Sequence, residues 1–108
     1  MTKQELLRYV DHTLLAPTAT EAEIRVVCDD AIKYNTATIC IPNSYVAFAT
    51  EYTEGKLAVG TVIGFPSGYN CTEAKCAETR LAIADGASEI DMVASIYNIK
   101  NGRFDLVE

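Results

Sequence analysis

The chain has 108 residues, a formal net charge of −6 and 49% hydrophobic residues, a composition that suits one small globular domain and excludes a disordered or fibrous chain. Its acidic balance argues against a nucleic-acid or anionic-membrane partner, since each of these selects a basic surface, but it leaves room for a small anionic substrate in a local positive site. Met1-Thr2-Lys3-Gln4-Glu5 lacks the apolar core of a secretory signal, and no later stretch is long and apolar enough to span a bilayer, so a cytoplasmic location is expected. The cysteines Cys28, Cys40, Cys71 and Cys76 match no zinc spacing, and His12 is the only histidine. Reduced thiols and no bound metal are therefore expected.

Thr2 to about Tyr9 opens with an N-cap threonine and an early glutamate, Glu5, the start of a short helix. Val10 to Leu15 is too polar for a helix face and is stopped by Pro17, which suits a short strand running into a loop. Thr20-Glu21-Ala22-Glu23 is a capping box. Behind it Ile24, Val27, Cys28, Ala31 and Ile32 recur at helical spacing as far as Asn35.

Thr36 to Ile41 is apolar on both parities, as in a strand covered on two faces, and Pro42-Asn43 stops it. Ser44 to about Thr53 reads as a helix closed by Gly55, and Leu57 to Ile63 as a third strand. A punctuated stretch, Gly64-Phe65-Pro66-Ser67-Gly68-Tyr69-Asn70, follows it. Thr72 is the expected cap of the next helix, with Ala74, Ala77, Leu81 and Ala84 on its inner face and Gly86 at its end. Ser88 to Val93 is a fourth strand, and Asn98 to Glu108 a turn around Gly102 leading into the start of a helix. No composition break or linker divides the chain, so one domain over residues 1–108 is expected. Strands alternating with helices build parallel α/β sheets. Periodicity alone leaves two architectures open, a doubly wound sheet and a (β/α) barrel.

A few residues sit badly in a bland core. An ionised Asp91 in the apolar strand Glu89-Ile90-Asp91-Met92-Val93 costs desolvation energy unless something pairs with it. Parallel α/β folds place active sites at strand C-termini, so Asp91 is either a functional carboxylate or a structural one that caps a turn or pairs with a neighbouring strand. Asp11-His12-Thr13 forms a similar cluster, in which a lone histidine is more often structural than catalytic. Cys40 reads as a small apolar filler, and Gly64 to Gly68 as a rigid loop whose Phe65 supplies an apolar wall. That loop lacks the spacing of a dinucleotide fingerprint or a P-loop.

Three stretches in register closely resemble the deoxyribose-phosphate aldolase family: Asp11 to Leu15 followed by Pro17, Gly64 to Gly68, and Gly86 to Val93. The resemblance runs along essentially the whole chain. It implies a (β/α)₈ barrel, of which this chain covers roughly the first four β/α units. It also implies reversible cleavage of 2-deoxy-D-ribose 5-phosphate into acetaldehyde and D-glyceraldehyde 3-phosphate, through a lysine Schiff base and without cofactor. By resemblance Asp91 is the proton-relay carboxylate, and Asp11, Thr13, Cys40 and Phe65 line the substrate pocket. The family's Schiff-base lysine lies on a later strand. Lys75, on an expected helix, and Lys100, in an expected turn, match no catalytic position, so the 108 residues alone are expected to be inactive. A half-barrel leaves sheet edges and faces uncovered, from which a homo-oligomer is expected. The alternative reading is a non-catalytic half-barrel that persists by self-association.

Overall fold

The computed structural model describes residues 1–108. Its strands β1 (Asp11–Thr13), β2 (Thr38–Ile41), β3 (Val59–Ile63) and β4 (Glu89–Met92) form one parallel sheet in the order β1-β2-β3-β4. Helices connect them: α2 (Glu21–Tyr34), a 3₁₀ turn (Asn43–Tyr45) running into α3 (Val46–Thr53), and α4 (Thr72–Asp85). A short α1 (Lys3–Leu7) precedes β1. The chain beyond β4 forms α5 (Ile96–Lys100), a turn at Gly102, and a 3₁₀ turn at Phe104–Leu106.

Strand order and core together settle the architecture. A doubly wound sheet reverses its strand order at a switch point and carries helices on both faces. Here the order never reverses. One apolar cluster joins Ile24, Val27, Cys28 and Ala31 of α2, Val46 and Ala49 of α3, and Ala82 of α4 to Ile39, Ile41, Val59 and Ile63 of the sheet. All three helices therefore cover the same face, as on the outside of a barrel wall. The fold is half of a (β/α)₈ barrel. Removing a fully buried isoleucine such as Ile39 from water contributes roughly 1.5–3 kcal/mol. Thr61, buried on this face, donates its hydroxyl to the Ile41 carbonyl at 2.7 Å.

Local signals in the sequence set most of the boundaries. At Thr20 the hydroxyl accepts from the Glu23 amide at 3.3 Å, and the Glu23 carboxylate accepts from the Thr20 amide at 2.8 Å. The same reciprocal box starts α1 at Thr2 and Glu5. Asn35 and Gly86 close α2 and α4 in the left-handed conformation.

Several expectations are corrected. Cys71, not Thr72, is the N-cap of α4, and its side chain makes no capping bond. The inner face of α4 is Lys75, Glu78, Thr79 and Ala82, while Ala74, Ala77, Leu81 and Ala84 are exposed. Small alanines mark a helix face weakly, and the inward lysine and glutamate are satisfied by loop backbone that periodicity does not display. Ile32 is likewise on the wet side of its helix, 40% exposed. Lys100 ends a helix rather than lying in a turn. No helix is long and apolar enough to cross a membrane.

Candidate active site

In a parallel sheet, register partners project from the same face. The partners Asp11 and Thr38, then Thr13, Cys40, Gly60 and Glu89, then Val62 and Asp91 therefore share the face turned away from the helices. His12, Ile39, Ile41, Val59, Thr61, Ile63 and Ile90 take the other. Helix-side positions are apolar apart from His12 and the paired Thr61. The opposite face is polar, as the wall of a reaction chamber is and the middle of a core is not.

Four of the five residues singled out in the sequence share this face: Asp11 opens β1, while Thr13, Cys40 and Asp91 lie nearer the strand C-termini. Asp11 accepts a 2.6 Å hydrogen bond from the Thr38 hydroxyl. Thr13 turns its hydroxyl to the Asp11 carbonyl at 2.8 Å. The Cys40 thiol reaches the Asp91 carboxylate at 3.9 Å. That last contact spans β3, and Gly60 makes it possible: it lies on the chamber face beside Cys40 and presents no side chain between β2 and β4. Phe65 stands apart, on the loop leaving β3, 48% exposed.

Electrostatics separate the roles of Cys40 and Asp91. Burial, then the charges of Asp91 and Asp11, push the Cys40 thiol up to about 11. It is protonated at neutral pH and serves as a hydrogen-bond donor rather than a nucleophile. Cys28, on the helix side, is likewise raised to about 11 by burial and by Asp29. Asp91 is exposed on the open chamber face, so solvent relieves the desolvation cost expected of an ionised carboxylate between two apolar layers.

His12 separates from its neighbours. It points to the helix side, where Nε2 lies 3.6 Å from the Asp30 carboxylate, so the Asp11-His12-Thr13 cluster splits across the sheet by the alternation of the strand. No three His, Cys, Asp or Glu side chains converge as a metal site. Hollows of about 380, 280 and 160 Å³ lie against Lys3 and Arg8, between α4 and the tail, and beside His12. The polar face is thus one wall of a chamber rather than a closed pocket.

Sequence reading missed Thr38, Gly60, Lys75 and Glu78. Strand alternation places Thr38 and Gly60 once the register is known. Lys75 and Glu78 carry no such signal. They bind the backbone of the loop between β3 and α4, with Lys75 Nζ donating to the Gly68 carbonyl at 2.7 Å and the Gly64 amide donating to Glu78 at 2.8 Å.

A parallel half-barrel with carboxylates and hydroxyls at its strand C-termini defines one wall of a barrel enzyme. Residues 6–103 match the model of the DeoC/LacD family aldolases. The chain belongs to this family. It is 56% identical over all 108 residues to deoxyribose-phosphate aldolase of Streptococcus pyogenes (serotype M5, strain Manfredo), spanning 48% of that protein. Among solved structures, a candidate deoxyribose-phosphate aldolase from Coccidioides immitis superposes with a TM-score of 0.92 at 36% identity, over 96% of this chain and 42% of that one. The tetrameric deoxyribose phosphate aldolase of Aeropyrum pernix gives 0.82 at 28% identity, over 96% of this chain and 48% of that one. The chain spans about half the length of the curated relatives it matches.

Proposed function

We propose that these 108 residues form, as one folding unit, the proton-relay half of an aldolase that reversibly cleaves 2-deoxy-D-ribose 5-phosphate to acetaldehyde and D-glyceraldehyde 3-phosphate. One observation carries the reading: Asp91 stands on the chamber face near the C-terminal end of β4, in contact with Cys40. In the cleavage direction a lysine amine adds to the sugar aldehyde and water leaves, giving a protonated imine. The C3 hydroxyl then gives up its proton, the C2–C3 bond breaks, and its electron pair passes into the imine as an enamine. Protonation at C2 and hydrolysis release acetaldehyde. Asp91, working through water with a second lysine, carries these protons. Asp11, Thr13 and Cys40 line the sugar's path and Phe65 supplies an apolar wall. Both lysines and most of the phosphate groove belong to strands outside these residues. No cofactor is called for, and four free thiols fit a reducing cytoplasm.

Borohydride trapping tests the assignment. The 108-residue chain incubated with acetaldehyde and reductant is expected to gain no covalent label. Joined to the following half of a family barrel, it is expected to be labelled on one lysine of that half. Labelling of the isolated chain would overturn the reading.

A second copy is the proposed partner of the isolated half-barrel. β1 and β4 each pair on one side only, and the chamber face is uncovered. Two copies pairing β4 to β1 would close both edges. Sedimentation at micromolar concentration is expected to show a dimer or larger species, and a monodisperse monomer would refute it.

A further inference from the structure

We propose that Lys75 is a positioning residue: its ammonium ties the loop after β3 to the end of β4 and thereby holds Asp91 in place against Cys40. The proposal rests on the reading of Asp91 as the proton-relay carboxylate.

Lys75 Nζ donates to two carbonyls from different segments, Gly68 at 2.7 Å and Val93 at 2.8 Å. One turn further along α4, Glu78 takes the Gly64 amide at 2.8 Å. Two side chains of one helix thus satisfy three backbone groups at the chamber rim. The lysine stem passes close over Gly64, where a Cβ would come within 2.9 Å of Cε. No carboxylate lies within ion-pair distance of the ammonium, so the carbonyls, not a counter-charge, fix its position. A free surface lysine keeps its rotamer entropy, whereas this one spends two of its three donors on defined acceptors.

The Val93 carbonyl matters because of what else holds that strand end. β4 pairs with β3 alone, and its last rung beyond Met92 is the Val93 amide donating to the Ile63 carbonyl at 2.9 Å. Its other edge is open. Lys75 supplies the second anchor, at a backbone carbonyl two residues beyond Asp91. Lys75 touches no reacting atom. It acts through the backbone.

Site-resolved alkylation of the 108-residue chain by iodoacetamide at pH 8, read by mass spectrometry, tests this without any aldol chemistry. Burial and Asp91 keep Cys40 protonated, so freeing the strand end relieves both effects and exposes thiolate. Lys75→Met is expected to raise the Cys40 rate roughly threefold or more. Lys75→Arg, which can still donate to both carbonyls, is expected to restore the original rate. Cys28, fully buried on the inner face of α2, is expected to keep its rate throughout. An unchanged Cys40 rate in a folded Lys75→Met chain overturns the proposal, as does a parallel rise at Cys28, which would signal general loosening. If Lys75→Met unfolds, Lys75→Gln, with an amide able to serve one carbonyl, is judged by the same two rates. Lysine trapping in the joined protein decides the aldolase reading separately, so either result can fail alone.

Discussion

Asp91→Asn, made in these residues joined to a barrel half that carries the lysine, is expected to slow acetaldehyde release from 2-deoxy-D-ribose 5-phosphate by about 10²–10⁴-fold, the range for losing a positioned proton carrier. The substitution is nearly isosteric, and the amide oxygen can still accept from the Cys40 thiol now 3.9 Å from the carboxylate. The β4 end should therefore stay where it is, and the loss should appear in turnover rather than in folding. Asp91→Glu keeps a carboxylate but displaces it by one methylene, so it is expected to fall between the parent and Asp91→Asn. Asp11 makes the useful contrast. Thr38 already occupies one of its oxygens at 2.6 Å, which suits a group that orients substrate more than one that passes protons. Turnover within about threefold of the parent for Asp91→Asn would remove Asp91 from the relay, because losing a general acid–base group is ordinarily far costlier.

Legibility in the sequence followed the kind of force involved. Capping boxes are short-range chemistry, and both Thr2 with Glu5 and Thr20 with Glu23 fold as their residue types require. The strands are legible from β-branched runs, although β1 shortens to Asp11–Thr13, the residues in register with Thr38, Ile39 and Cys40. What the strands face was not legible. The run Thr36 to Ile41 looks apolar on both parities, yet Thr38 and Cys40 meet the chamber while Ile39 and Ile41 meet helices. Hydropathy does not separate a threonine or cysteine that lines a site from one that fills a core. Asp91 stands out in the sequence because a carboxylate in an apolar strand is chemically conspicuous. Lys75, on a helix and matching no catalytic position of the family, does not stand out, and its two acceptors are carbonyls 7 and 18 residues away along the chain. The inner face of α4 was misread for the same reason. Its alanines are exposed, and the residues turned inward answer to loop backbone.

Gly68 carries the largest stability effect expected from a single methyl group. It sits at φ +73°, and a Cβ there would lie 2.2 Å from the Ala94 carbonyl oxygen and 2.8 Å from a Val93 methyl. Gly55 has nearly the same backbone, φ +74°, with nothing within 4 Å of the added carbon. The two positions separate strain from collision. Gly55→Ala should lose only the left-handed penalty, about 1 kcal/mol. Gly68→Ala adds the displacement of a carbonyl that cannot rotate away, because its chain is pinned by Lys75 at Val93. Overpacking of this kind costs roughly 1–3 kcal/mol more. The total of about 3 kcal/mol is a large part of a small domain's stability. At several degrees per kcal/mol, thermal unfolding of Gly68→Ala is expected roughly 15 °C below the parent, against about 5 °C for Gly55→Ala. Equal shifts in the two variants would mean that the loop after β3 does not press on the end of β4, and the close approach of Gly68 to Val93 and Ala94 would have to be abandoned.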